Sequence, residues 1–166
     1  PDLVWIKNRS STQWNNLYDA VRGATKVIYS NATNAEGTFA DSLTSFDSTG
    51  FSVGTDVSGN GVNTNTNTYV AWQWDAGSTT VTNTNGSISS QVRANPTAGV
   101  SVVTYTGTGA NATVGHGLGV APKMVIVKYR SAARSWIVWQ SALAGTEYLL
   151  LDGTNAKQTA ADAWNS

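Results

Sequence analysis

The chain has 166 residues, among them 22 Thr, 17 Ser, 15 Asn and 16 Gly, and only 12% are charged, about half the usual share of roughly 25%. Ten bases cancel ten acids, which removes any general electrostatic pull toward nucleic acid or an anionic membrane. With no cysteine, a disulfide framework, a thiolate metal site and a cysteine nucleophile are excluded, and no apolar run approaches the roughly 20 residues of a membrane-spanning helix.

Thr favours strands, while Ser, Asn and Gly favour turns, so the composition points to an all-β protein with many loops. Seven Trp, six Tyr and three Phe supply its core. Period-two alternation begins at once: Pro1–Arg9 reads as a strand with Leu3, Trp5 and Lys7 on one face and Val4 and Ile6 on the other. Apolar residues on both faces predict a strand covered on both sides. The same alternation predicts strands over 15–21, 25–31, 42–47, 67–75, 87–94, 99–106, 122–130, 135–142 and 146–151. Thr49-Gly50, Asn60-Gly61, Asn85-Gly86, Asn95-Pro96 and Asp152-Gly153 mark the turns between them. Residues 155–163 alone suit a short helix or turn. The expected fold is an antiparallel β-sandwich, with 3–9, 99–106 and 122–130 near its centre. A trimeric fibre-like β structure is the alternative.

Pro1-Asp-Leu-Val-Trp-Ile-Lys-Asn-Arg-Ser10 returns as Pro122-Lys-Met-Val-Ile-Val-Lys-Tyr-Arg-Ser131, an offset of 121. The same offset lays Thr33-Asn34-Ala35 on Thr154-Asn155-Ala156 and Asp41 on Asp162, while Trp14 meets Trp136 after a one-residue slip. A period of 121 is too long for a solenoid unit and has the size of a domain. It predicts related β domains strung like beads, with this chain a segment of something longer. The polar stretch 76–87 reads as a linker, dividing 1–75, the closing part of one repeat, from 88–166, the opening part of the next. The alternative places one permuted domain at 1–121 and the start of a second at 122–166.

Four features carry possible chemistry. Gly107-Thr-Gly109-Ala-Asn-Ala112 has a dinucleotide-binding spacing, but the glycines that follow cannot sustain the helix such a site needs, so it reads as a glycine-rich loop. His116, the one histidine, has no triad spacing around it and reads as a turn residue. Asp56 and Asn60 open an oxygen-rich loop suited chemically to calcium, though with one carboxylate and without the spacing of a calcium-binding hand. A Trp ring flanked by Asn is a sugar platform, and Trp14 with Asn15 and Asn16, joined by Trp136, is the candidate carbohydrate site. No cofactor is expected beyond that calcium. Residues 76–146 hold no acid, which leaves few ways to pair two carboxylates for glycoside hydrolysis, so no catalytic residue is assigned.

The segments Pro1–Ser10, Asn67-Thr-Tyr-Val-Ala-Trp-Gln-Trp74, Thr104-Tyr-Thr-Gly-Thr-Gly109 and Val114-Gly-His-Gly-Leu-Gly-Val-Ala-Pro122 resemble a repeated domain of large structural proteins of marine bacteriophages, cyanophages especially. The resemblance covers nearly the whole chain. Pro122-Lys-Met-Val-Ile-Val departs from the pattern but keeps the strand. The resemblance implies a virion location outside the cell and a non-enzymatic tail-fibre or adhesion module with a lectin-like jelly-roll fold. Its implied partners are other copies or repeats of the same protein and a host surface glycan, with neither nucleic acid nor membrane. A carbohydrate-binding module, on a fibre or on a secreted glycosidase, is the competing expectation, and a polysaccharide hydrolase the third.

Overall fold

A computed structural model describes residues 1–164. The chain is all-β, with several antiparallel sheets and no helix among the described residues. The first sheet is built from β1 (Leu3–Asn8), β2 (Asn15–Asp19), β3 (Lys26–Tyr29) and β4 (Gly37–Thr38), consecutive neighbours in a meander. Two further strands, β5 (Leu43–Asp47) and β6 (Gly50–Val53), form a hairpin. Then β7 (Tyr69–Trp74) returns to the open side of β1, giving the order β4-β3-β2-β1-β7. This β1–β7 pairing joins strands distant in sequence; the other ladders join consecutive strands.

Directly paired residues share a face of an antiparallel sheet. Val4 pairs with Tyr18 and Ile6 with Asn16, so these side chains lie together on the inner face, and all four are buried. Val27, Tyr29, Leu43 and Val62 complete that core, with Phe46, Phe51, Val53, Tyr69 and Ala71 packed around it. The inner face is covered by Phe39 and by Leu43, Phe46, Phe51, Val53 and Val62 of the following segment, with Ala24 and Ala32 at its margin. On the outer face Trp5 lies between Leu17 and Trp72, and the Trp5 and Trp72 rings are tilted at 57° with centroids 5.8 Å apart.

The next sheet holds β8 (Val81–Asn83), β9 (Ser90–Asn95) and β10 (Val100–Tyr105) in sequential order. Residues 76–87 are thus not a free linker: Ala76 is fully buried, and Val81–Asn83 pair with β9. Low apolar content disguised them, because a three-residue edge strand needs backbone pairing more than side chains. Arg93 on β9 ties this sheet to the first, reaching Asp2 Oδ1 at 2.5 Å and donating from Nε to the Gly77 carbonyl.

The last sheet is a second meander, β11 (Met124–Val127), β12 (Ile137–Gln140), β13 (Glu147–Leu150) and β14 (Gln158–Thr159). Residues 155–163 hold β14 and turns where a helix was the alternative. The pairings of this meander parallel those of the first. Leu3↔Asp19 corresponds to Met124↔Gln140, Leu17↔Ile28 to Val138↔Leu149, and Lys26↔Thr38 to Glu147↔Thr159. Turn bonds match as well: Lys26 N–H donates to Gly23 O at 3.1 Å, and Glu147 N–H to Ala144 O at 3.0 Å. Asn15 N–H donates to Asn31 Oδ1 and Trp136 N–H to Asp152 Oδ1, both at 2.8 Å. This last correspondence puts Trp136 at the position of Asn15 and not of Trp14, so the tryptophans are not equivalent. Of the three strands expected near the centre, only β1 is internal; β10 and β11 lie at sheet edges.

Candidate functional site

The two meanders meet at one seam. The end of β3 and the loop after it, residues 30–36, receive the loop between β11 and β12, residues 128–136. Two backbone bonds cross it, from Glu36 N–H to Arg130 O and from Arg134 N–H to Thr33 O, each 2.9 Å. Trp136, 3% exposed, seats its indole there and donates from Nε1 to Tyr29 O at 2.7 Å and Ala32 O at 3.2 Å. Lys128 Nζ donates to the carbonyls of Thr33, Tyr129 and Arg134 at 2.8–3.0 Å. Burial lowers its pKa, against the opposing pull of Asp152.

Glu36 is the electrostatic centre of the seam. Arg130 grips it with Nε at 2.8 Å and Nη2 at 3.0 Å, and Arg22 approaches from its own meander at 3.3 Å. Burial pushes the Glu36 carboxyl up, but the bonds and charges of Arg130 and Arg22 outweigh it and hold the group below the usual glutamate range. Arg22 is itself buried and bonded to Asp19 Oδ2 at 2.5 Å. Sequence reasoning missed Glu36, Lys128 and Arg130. At an offset of 121 Lys128 and Arg130 fall on Lys7 and Arg9, but nothing in the sequence marks their contact with Thr33 and Glu36.

The expected sugar platform is divided by the fold. Trp14 is 43% exposed and leans on the Tyr29 ring, centroids 5.5 Å apart at 36°. Asn15 starts β2, and its side-chain oxygen is buried without a hydrogen-bond partner. Asn16 is fully buried, donating to the carbonyls of Trp14 and Asn60 at 3.2 Å each. Trp136 presents no free ring face, because its indole fills the seam. Of these four side chains, Trp14 alone offers an aromatic surface to solvent.

Asp56 and Asn60 are both buried and bonded within the protein. Asp56 Oδ2 accepts the N–H groups of Gly61, Val62 and Asn63 at 3.0–3.1 Å and the Thr64 hydroxyl at 3.3 Å, while Oδ1 has no partner. Asp56 takes the left-handed φ of 57°, which an Asp tolerates better than a β-branched residue. Asn60 accepts from Tyr29 OH at 2.8 Å and donates to Tyr18 OH at 2.5 Å and Ser42 Oγ at 2.9 Å. Burial raises the Tyr18 pKa well above that of a free phenol, and it raises Tyr29 too, so both hydroxyls stay protonated. Loop 54–64 is thereby fastened under the first sheet. No group of three or more metal-binding side chains occurs among the described residues.

Asp2, Asp47, Asp75 and Arg93 line a shallow depression of about 590 Å³. The Ser52 and Ser45 hydroxyls lower the pKa of Asp47, and the Gly77 N–H lowers that of Asp75. A glycosidase acid needs the opposite shift, a carboxyl kept protonated near neutral pH. His116 lies in a second shallow groove with Asn85, Val120 and neighbouring glycines, its Nδ1 accepting the Leu118 N–H at 3.1 Å. Gly107–Ala112 is an exposed loop after β10, with no helix following.

Sheets, buried polar fastening and seam together define an all-β protein assembled from antiparallel meanders. The chain belongs to the family described as domain of unknown function DUF7483, whose model matches residues 1–166. That match spans both meanders and the seam between them. No curated protein and no solved structure matches the chain.

Proposed function

We propose that this chain is a non-enzymatic structural module, part of an extended virion appendage such as a phage tail fibre. One observation carries the reading: β11–β14 reproduce the pairing register of β1–β4, and the second meander is docked on the first by a polar, tryptophan-anchored seam. A 121-residue internal repeat accounts for both, and units joined through such a seam can be stacked along one polypeptide. The carboxylates support a structural role through their bonds. Asp2, Asp19, Glu36 and Glu147 are in ion pairs, and Asp41, Asp47, Asp56, Asp75 and Asp152 fasten turns and loops. No cofactor enters this role.

The proposed layering is a small sandwich, with the five-stranded sheet facing the β5–β6 hairpin and loop 54–64. A jelly-roll form of it needs strands that cross between distant parts of the chain, and β1–β7 is the crossing available. Appendage location and extracellular display rest on the resemblance to bacteriophage structural repeats. Antibodies against the folded chain, used in immuno-electron microscopy of virions from a phage encoding it, should decorate the tail or its fibres. Intact virions that carry no label would overturn the assignment.

A second reading, recognition of a host surface glycan, is favoured by Trp14, whose exposed ring stands beside Asn15. A glycan array probed with the native chain and Trp14→Ala tests it. Binding lost in the variant supports it, and no binding by the native chain removes it.

A further inference from the structure

The first meander is closed on two sides where the second is open. Strand β1 has β2 on one edge and β7 on the other. Its counterpart β11 pairs with β12 and, among the described residues, with nothing on its other edge. Met124 and Ile126 on that edge strand are 58% and 48% exposed. The inner faces differ in the same way. Val4, Ile6, Tyr18 and Val27 are buried, with the hairpin and loop that follow packed over them. Their counterparts Val125, Val127, Trp139 and Tyr148 are only half-buried. An unpaired edge and a half-covered apolar face are distinct observations, since one concerns backbone donors and the other side-chain burial.

We infer that the second meander is an acceptor site for a segment of the 43–75 type, an aromatic hairpin and loop followed by a strand. Its strand would pair antiparallel with β11 as Tyr69–Trp74 pairs with β1, and its hairpin would cover the inner face. The occupant is named by the first meander, where the edge is filled by β7 and the face by residues 43–62. Recognition is therefore strand addition, with backbone bonds giving affinity and alternate side chains giving register. The acceptor face differs in detail: Trp139 replaces Tyr18 and Tyr148 replaces Val27. The inference rests on the repeat reading above.

The test uses the full chain carrying a second copy of residues 43–75 after Ser166 on a flexible Gly/Ser linker, which gives the segment a high effective concentration. A control carries the same linker with the 43–75 sequence scrambled. Hydrogen exchange followed by mass spectrometry should show amides 124–127 exchanging at least tenfold more slowly with the native-sequence tail than with the scrambled one. Amides of β1 should be unchanged. Equal exchange at 124–127 with both tails would overturn the acceptor site, as would equal protection by both. Exchange at 137–150 separates this failure from that of the repeat. If those amides are protected in the chain without a tail, the second meander exists and only the acceptor inference fails; if they exchange freely, the repeat reading fails first.

Discussion

Trp136→Ala tests the seam most directly. The indole is 3% exposed, so truncation empties a space the size of an aromatic ring and costs about 3–5 kcal/mol. Part of that cost comes from Tyr29 O and Ala32 O, which lose the Nε1 donor; Tyr29 O keeps the Ala32 N–H at 3.3 Å, so this share lies toward the low end of the about 1–3 kcal/mol of a buried acceptor stripped of its partner. Trp136→Phe separates the two effects, because it keeps most of the apolar contact and removes the donor. It should cost only the acceptor share, toward the low end of about 1–3 kcal/mol. Both losses fall on the junction of the meanders and not on the core around Val4, Tyr18 and Leu43. Hydrogen exchange across a urea series should therefore show residues 124–150 of Trp136→Ala losing protection at lower urea than residues 3–29. If the variant unfolded at the native midpoint, or both meanders lost protection in step, the seam would not be what anchors the second meander.

Glu36→Gln should weaken the same seam by about 1–2 kcal/mol, less than a fully buried pair would, because Arg130 is partly exposed; denaturant midpoints measure this. Since Glu36 is held below its ordinary value of 4.5, its contribution is fully present above that pH and is lost as pH falls through the lower folded value. Acid titration by circular dichroism should accordingly show native protein losing stability below about pH 4.5, and Glu36→Gln should lose less over that range. Asp56→Ala should destabilise by about 2–4 kcal/mol, because three loop N–H groups lose their acceptor. Adding calcium or a chelator to native protein should leave its melting temperature unchanged in scanning calorimetry, and a rise with calcium would contradict the structural role given to Asp56. Trp14→Ala should cost under about 1 kcal/mol in the same calorimetry, since the exposed ring adds little beyond its contact with Tyr29.

All ten segments expected from alternation contain a strand; most carry apolar residues at period two or a continuous apolar run, while β5 spaces Leu43 and Phe46 three apart across a register shift. The additional strands, β4, β6, β8 and β14, are two to four residues long. Segments so short hold too few side chains for a period to register, and backbone pairing with a neighbour decides them. The sugar platform was harder to read. Trp14 stands among Gln13, Asn15 and Asn16, and Trp136 follows Ser135 at the head of Ile137-Val138-Trp139; one is exposed and the other seals the seam. What separates them is a contact across 107 residues, Trp136 to Tyr29, and no local pattern encodes it. Asp56 and Asn60 resemble calcium ligands for a related reason. Oxygen-rich loops offer the same atoms to a cation and to their own backbone N–H groups, and only the folded path shows which is served.

The pairing of β1 with β7 also sets an order of events during synthesis. Strands β1 to β4 are near neighbours in sequence and can form ladders as soon as they emerge, whereas β7 begins only at Tyr69. Contacts of such long separation form late, after the entropy of closing the intervening loop has been overcome. Until Trp74 has left the ribosome, the nascent first meander carries an open edge on β1, although its hairpin, complete at Val53, has already emerged. Unpaired edges at that stage invite pairing with neighbouring chains, so in a crowded polysome the interval between Asn8 and Trp74 is the window in which this fold is most exposed to misassembly.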